Sequence, residues 1–474
     1  MPDPDRNIPT GEASRVDGAR APLEAALRSA LGPKLRVTDP TTASAYDADQ
    51  CLLTAHGAPS YVVHATEQDD VVNTLQVAHR FRTPVVSRGA GTGLTGGANA
   101  IDGCIVLSLA AMDRIVDIDP ATRTARVEPG VINGVLDRAA AQQGLGYLPD
   151  PGSKDISTIG GNIATNAGGM CCVKYGVTRN HVAELTVVLA DGQIMRTGSR
   201  TRKNVTGLDL TSLIVGSEGT LGVITEVTVW LHPRPTTAST VIALFRSLEN
   251  AVASVDSITR SLLPAAAELM DAATVAAVND FTGMGIDSRA EAVLLLRFDG
   301  SEVANAADAQ QADELMTGHG AFEVFRTDDA AEGKELMAAR AVALTALERK
   351  GATLLDDVAV PVHQLPALVT GVRHIARQRD VLIATFGHAA DGNMHPTIVF
   401  NPADDSARQR AAAAFDDILH LAVRLGGVLS GEHGIGVLKQ HHLDAQLDPV
   451  AREVMAKVKK ALDPMGILNP GRSL

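Results

Sequence analysis

Five glycines within nine positions, Gly89-Ala-Gly91-Thr-Gly93-Leu-Thr-Gly96-Gly97, follow the apolar pair Val85-Val86, and this junction constrains the chain more than any other feature. A short buried strand running into such a turn lets successive amide N–H groups face one concave surface, because glycine accepts backbone angles that other residues resist. Ser87, Thr92 and Thr95 add hydroxyls to the same turn. The surface suits a pyrophosphate, yet it has neither the P-loop spacing nor the usual dinucleotide fingerprint. Taken alone it also reads as a glycine-rich surface turn. Two further segments alter that reading: Asp150-Pro-Gly-Ser-Lys-Asp-Ile-Ser-Thr158-Ile-Gly160-Gly161-Asn-Ile-Ala-Thr165-Asn166-Ala-Gly168-Gly169, and Gly216-Ser-Glu-Gly219-Thr-Leu-Gly222-Val-Ile224-Thr-Glu226. Three such segments at wide spacing predict one extended ligand, a dinucleotide cofactor, laid along several stretches of backbone.

A chain of 474 residues exceeds the size at which one core stops growing, so two or three domains are expected. A formal net charge of −13, with no basic cluster interleaved with aromatics, excludes a nucleic-acid surface. No stretch approaches the 18 or so apolar residues of a membrane span. The opening MPDPDRNIPTGEASRVD carries prolines and acids where a secretory signal is basic and then apolar. Cys51, Cys104, Cys171 and Cys172 have no zinc-like spacing, so reduced cysteines and a cytoplasmic address are expected.

Along the chain, 1–18 reads as disordered and Pro22–Leu31 as a helix stopped by Gly32-Pro33. A strand at 61–64, a helix capped by Asp69, strands at 104–109 and 115–119, a helix over 131–143 and a strand at 185–190 make a mixed α/β first domain, 1–235, ending at His232-Pro-Arg-Pro235. Over 236–429, strands at 241–245, 292–298, 322–326, 358–360, 381–385 and 397–400 alternate with helices near 249–262, 301–317, 329–350, 363–378 and 404–425. That pattern predicts an α+β second domain, a sheet covered by helices. Residues 430–474, with a helix near 448–462 and an apolar-anchored tail, are expected to pack back on the first domain and the active site.

The sharpest polar constellation lies in this second half. His388-Ala-Ala-Asp-Gly-Asn-Met-His395 places two imidazoles on either side of an Asp-Gly turn, and Ser430-Gly-Glu432-His433-Gly-Ile-Gly436 adds a carboxylate and a third imidazole between glycines. Two His and one Glu are the ligand set of a zinc-type catalytic site with an open position, leaving His433 as a base. Separate hydrogen-bonding histidines at two turns are the plain structural alternative. Arg340, on the Ala-rich helix near 329–350, either offers its fork to a substrate carboxylate or lies solvated. Tyr175 and the adjacent pair Cys171-Cys172 read as structural.

The three glycine-rich segments resemble the flavin-binding domain of the vanillyl-alcohol oxidase and p-cresol methylhydroxylase type. Together with Phe386-Gly-His388-Ala-Ala-Asp391-Gly-Asn-Met-His395-Pro, Ser430-Gly-Glu-His-Gly-Ile-Gly436 and Asp463-Pro-Met-Gly-Ile-Leu-Asn-Pro470, they resemble the FAD-linked 2-hydroxy-acid dehydrogenases, over about 46–470. That family includes the glycolate oxidase large subunit, D-lactate dehydrogenase and D-2-hydroxyglutarate dehydrogenase. The resemblance implies a flavin domain with an antiparallel-sheet cap. It implies FAD contacts at Val85, Val86, Ser87, Arg88, Gly89, Ala90, Gly91, Thr92, Gly93, Leu94 and Thr95, and at Pro149, Asp150, Gly152, Thr158, Gly160, Gly161, Asn162, Ala164, Thr165 and Asn166. Glu218, Gly222, Ile224 and Asn469 complete that set. It further implies a divalent metal, Zn or Mn, on His388, His395 and Glu432, with His433 as the base and Arg340 as the substrate-binding arginine.

Where hydroxyglutarate-type members carry a threonine, a lysine and an asparagine, this protein has Leu344, Leu355 and Thr397. A leucine gives a second carboxylate no partner, so glycolate, D-lactate or another short D-2-hydroxy acid is the expected substrate. The competing readings are a D-2-hydroxyglutarate dehydrogenase, an alkylglycerone-phosphate-type enzyme, and a non-catalytic flavoprotein subunit of an electron-transfer complex. FAD is expected to bind non-covalently, with His181, Cys171 and Cys172 as the attachment points otherwise open. No iron–sulfur cysteine cluster or NAD fingerprint is present, so electrons are expected to leave to a quinone, an electron-transfer flavoprotein or an iron–sulfur subunit. A homodimer is an open possibility for the assembly.

Overall fold

The computed structural model describes residues 13–37, 44–51 and 53–473. Three parallel strands, Tyr61–His64, Ile105–Ser108 and Val85–Arg88, lie side by side in that order, with Leu35–Val37 antiparallel at the edge. Parallel strands need a crossover, and the helix Gln68–Phe81 carries the chain from Tyr61–His64 over to Val85–Arg88 on the far side of Ile105–Ser108. Its cap is Glu67, paired in a capping box with Asp70, rather than Asp69. The expected disorder over 1–18 is corrected in part: residues 1–12 lie outside the described residues, but Ala13–Leu31 is one helix with Pro22 inside it. Leu23, Leu27 and Leu31 anchor that helix in the core beneath the sheet, and upstream turns then extend from an existing nucleus.

A second, antiparallel sheet carries Ile115–Asp119, Thr124–Val127, Val223–Trp230, Val182–Val188 and Ile194–Gly198 in spatial order. Its apolar face packs on Leu136 and Ala140 of the helix Asn133–Ala141 and on Ile159 and Ile163 of the helix Ile159–Thr165.

The third sheet runs Ala321–Thr327, Thr237–Phe245, Ala292–Gly300, Ala266–Asp271, Leu382–His388, Asn393–Phe400 and Ala352–Leu355, all antiparallel, with Val358–Ala359 also paired to Asn393–Phe400. Both faces are covered, so side chains along one strand alternate between two cores. Leu294 and Leu296 join one core, and Val293 and Leu295 join the other. The strand Ala266–Asp271 and the helix Ala272–Thr282 were not expected from the sequence, because a short Ala-rich apolar run has no decisive period. The single helix expected over 329–350 is two helices, Ala330–Ala341 and Ala343–Glu348, which meet at Val342. Leu344 therefore does not continue the face of Arg340 on one unbroken helix.

The C-terminal tail returns to the first sheet. Leu468 forms a parallel bridge with Val85, and Ile467 and Leu468 enter the core under that sheet. Asn469 accepts from the Ser87 N–H at 3.0 Å and donates to the Glu218 carbonyl at 2.7 Å.

Candidate active site

Strand alternation builds the polar centre. Glu268, His388 and His395 share the sheet face that carries Met270, Ala384, Phe386 and Val399, the face onto which Arg340's helix packs. Register puts Glu268 opposite His388, and Phe386 opposite His395. The turn Ala389–Asp391 closes the hairpin, so the two imidazoles meet edge to face at 5.2 Å. The glycine-flanked segment after Leu429 brings in Glu432 and His433, and His433 stacks on His395 with ring planes 6° apart.

Three imidazole nitrogens converge on one carboxylate oxygen. The Nε2 atoms of His388, His395 and His433 lie 3.4, 3.3 and 3.6 Å from Glu432 Oε1. The opposite ring nitrogens are backed by buried carboxylates. His388 Nδ1 is 2.7 Å from Glu268 Oε1, and Nδ1 of His395 and of His433 each lie 3.9 Å from an Asp357 oxygen. The carboxylate bonded behind the His388 ring turns its other nitrogen towards a cation, the arrangement of metal-ligating histidines. Nδ1 of His395 and of His433 and Oδ1 of Asp357 have no hydrogen-bond partner of their own. One ligand atom each of Asp357, His395, Glu432 and His433 fits within 4.8 Å of the others.

Charge follows this geometry. Burial disfavours ionisation, but the surrounding histidines overcome it and hold Glu432 well below the usual carboxylate range. Burial likewise opposes a charged His388, yet Glu268 and Glu432 raise it well above its ordinary value. His395, facing two other imidazoles, is pushed down, chiefly by burial. Arg340 is buried beside them, with its Nε 2.7 Å from Glu268 Oε2 and its guanidinium carbon 4.5 Å from the Phe386 ring centre. Glu268 thus joins the arginine to His388.

The glycine segments close around the same place. Gly168 leaves no room for a side chain against Glu432, whose Oε2 a Cβ there would meet at 2.6 Å. Glu218 accepts from the N–H groups of Ile435 and Gly436 at 2.7 and 2.8 Å, and the Thr95 carbonyl accepts from Val437 and Leu438. All three segments therefore grip the stretch that carries Glu432 and His433. Between the first and third, a Cβ on Gly219 would meet Ser87 Oγ at 2.5 Å, and Gly89 sits directly against the Thr158 hydroxyl. Asn162 is buried with an unpartnered side-chain nitrogen, a donor awaiting an acceptor. A cavity of about 560 Å³, in the range of cofactor clefts, runs from Glu432 past Thr165, Asn166, Gly216 and Glu218 to the helix Pro449–Leu462.

Other residues of the expected contact set also engage protein partners. Arg88 turns its guanidinium away to the Ala48 and Ala98 carbonyls, Ile224 lies in the apolar core, and Gly222 packs on Val187 of the neighbouring strand. Gly152 is open. Asp150 accepts from the Cys171 N–H, Pro149 gives its carbonyl to Asn133, and Thr158 caps the helix Ile159–Thr165.

Residues 234–473 match the family model for the C-terminal domain of FAD linked oxidases, and residues 59–198 match the FAD binding domain. The chain belongs to the FAD-linked oxidases. FAD is accordingly its cofactor, and the cradle of Gly89, Gly219 and the unpartnered Asn162 fits such a group. This FAD-linked oxidase is 40% identical to glycolate oxidase subunit GlcD of Bacillus subtilis over 87% of its own length and 88% of that protein. It is 35% identical to a D-lactate dehydrogenase of Archaeoglobus fulgidus, covering 93% and 98%. Its fold is that of p-cresol methylhydroxylase, with a TM-score of 0.82 at 19% identity over 96% of each chain. The 4-ethylphenol oxidase of Gulosibacter chungangensis gives 0.79 at 18% over 98% of each. Among the described residues no helix is long and apolar enough to cross a membrane.

Sequence reading did not single out Glu268 or Asp357. Each is an acid inside or beside an apolar strand, fully buried in the structure, and an acid in such a setting is itself a signal of a partner nearby.

Proposed function

We propose that this FAD-linked oxidase converts a small 2-hydroxy acid, whether D-lactate, glycolate or another short D-2-hydroxy acid, to the 2-oxo acid. The observation that carries the reading is the convergence of three Nε2 atoms on Glu432 beside an arginine anchored through Glu268. When bound, FAD supplies the two-electron acceptor that no side chain provides. His388, His395 and Glu432 would hold a divalent cation, Zn or Mn, whose charge makes a substrate hydroxyl more acidic. Arg340 binds the substrate carboxylate through its fork, with Glu268 on Nε and Phe386 beneath. His433 Nε2 receives the hydroxyl proton, and Asp357 behind Nδ1 stabilises the imidazolium that results. Loss of that proton, and of the Cα hydrogen with its electron pair, turns the alcohol carbon into the carbonyl.

Leu344 and Leu355 support a short substrate. Both pack half-buried in the apolar cluster that includes Phe386, Met270 and Val399, and Thr397, opposite Leu355, turns its hydroxyl to the His395 carbonyl. A second carboxylate there would lose water without gaining a cation. Steady-state kcat/KM for glycolate, D-lactate, D-2-hydroxybutyrate and D-2-hydroxyglutarate, with an artificial acceptor, tests this reading. One of the first three should lead; hydroxyglutarate ahead by tenfold would sink the leucine argument.

Within the same proposal, residues 1–235 hold the flavin, 236–429 the substrate, and 430–474 seal the site between them. Non-covalent attachment is supported by thiols unsuited to nucleophilic attack: burial, then Glu432 and Asp391, push Cys172 far up, and burial does the same to Cys171. His181 is fully buried with Nε2 on the Tyr175 carbonyl. Electrons pass on to a quinone, an electron-transfer flavoprotein or an iron–sulfur subunit. The four free cysteines support a cytoplasmic setting.

A further inference from the structure

A second group of metal-type donors stands apart from the histidine centre, where the C-terminal segment crosses the cap helix Asp405–Arg424. Asp416 comes from that helix, and His441 and His442 come from the turn Gln440–His442. Asp416 Oδ1 lies 2.9 Å from His442 Nε2 and 3.8 Å from His441 Nε2. One ligand atom of each residue falls within 4.8 Å of the other two. Ligands at about 2.0–2.2 Å in a tetrahedral zinc site stand roughly 3.3 Å from one another, so closure asks for a small swing of one side chain. His441 can make it, because its side chain is 65% exposed, whereas that of His442 is 6% exposed and fixed. His420 follows Asp416 by one helical turn on the same face, and its ring meets that of His442 edge-on at 5.1 Å.

A plain surface hydrogen bond between Asp416 and His442 explains only part of this. Among the described residues the ion-pair partners of Asp416 are these two imidazoles. His442 is buried with its Nε2 already turned to Asp416 Oδ1, so two of the three donors are preset. Two nitrogens and one carboxylate oxygen suit a borderline transition metal, whereas calcium and magnesium prefer oxygen throughout. The position gives such an ion something to fasten. Lys439, just upstream, donates to the carbonyls of Asp357 and Leu429 and pairs with Asp356 at 3.0 Å. The turn therefore continues straight from the segment that places Glu432 and His433.

We propose that Asp416, His441 and His442 form a second metal site, of zinc type, that fastens the C-terminal segment to the cap helix. The site is separate from the His388, His395 and Glu432 centre and does not depend on the reaction assigned to it. Full-length, FAD-loaded protein is stripped with a chelator, dialysed and titrated calorimetrically with Zn²⁺ alone, in parallel with His441→Gln, Asp416→Asn and Glu432→Gln. The unmodified protein should bind one Zn²⁺ that His441→Gln binds at least tenfold more weakly, and Glu432→Gln should retain that equivalent. Zn²⁺ should also raise Tm more in the unmodified protein than in His441→Gln, and Mg²⁺ at the same concentration should not. His441 is exposed, so its substitution keeps the test valid even if Asp416→Asn folds poorly. Equal Zn²⁺ stoichiometry with affinities within twofold for His441→Gln and the unmodified protein would overturn the proposal.

Discussion

Substituting Glu268 by Gln probes how the centre is held together. Glu268 is fully buried, and its two oxygens lie 2.7 Å from His388 Nδ1 and 2.7 Å from Arg340 Nε. Burial opposes its charge, but His388 and Arg340 prevail and keep the carboxyl below its ordinary range, so the group acts as a carboxylate. An amide of the same shape offers one acceptor. The other end presents N–H to a donor, and one cationic neighbour loses its counter-charge. A hydrogen bond to a charged group contributes about 1.5–3 kcal/mol. Weakening the one to His388 and removing the counter-charge of the Arg340 ion pair makes about 2–4 kcal/mol, which corresponds to a fall in kcat/KM of roughly 30- to 1,000-fold. The loss should divide into two readouts: KM for the hydroxy acid rises because Arg340 is no longer aimed, and metal retention falls because His388 loses its orienting partner, a change on the order of 10–100-fold in affinity. Steady-state kinetics with metal analysis of the same preparation, alongside a thermal melt to confirm folding, separates these from general damage. A folded variant with kcat/KM within threefold of the parent and unchanged metal content would refute the reasoning.

Gly219→Ala should loosen the flavin cradle. The residue has φ +71°, and its added Cβ would press on Ser87 Oγ and Asn469 Nδ2, so FAD affinity should fall at least tenfold by fluorescence titration, and unaltered affinity would count against the cradle. His181 should make the fold acid-sensitive. Burial, then His232, depress it from 6.5 to about 4, so the unfolded chain binds the extra proton between those values. That stability is complete above about pH 6.5 and is lost as pH falls through 4, a change of about 3 kcal/mol by linkage. Urea unfolding of His181→Gln at pH 7 and pH 4.5 should show a shallower loss than the parent; identical slopes would remove His181 from the account.

The parts of the fold that were legible in the sequence are those whose signals are local. The hairpin from Leu382 to Phe400 follows from two apolar runs around Asp391-Gly392, and it brings His388 and His395 together as expected. The return of the tail follows from its apolar anchors, and Leu468 pairs with Val85. What was not legible depends on tertiary pairing. The strand Ala266–Asp271 is defined by its neighbours on both sides, so Glu268 became visible as a partner of His388 only through cross-strand register. The break at Val342 has no proline or glycine to announce it, and it moves Leu344 off Arg340's helix. Glu218 also accepts from Ile435 and Gly436 through its carboxylate, a role that requires the C-terminal segment to be in place.

The central claim is that a 2-hydroxy acid delivers its electrons to FAD beside the Glu432 centre. Anaerobic titration of the FAD-loaded protein with glycolate and with D-lactate, followed at the flavin absorption band, tests it most directly. The account predicts that at least one acid bleaches the band with a one-to-one endpoint, and that His433→Ala slows bleaching by two or more orders of magnitude without loss of FAD. A yellow, folded, metal-replete protein that no 2-hydroxy acid reduces would contradict it.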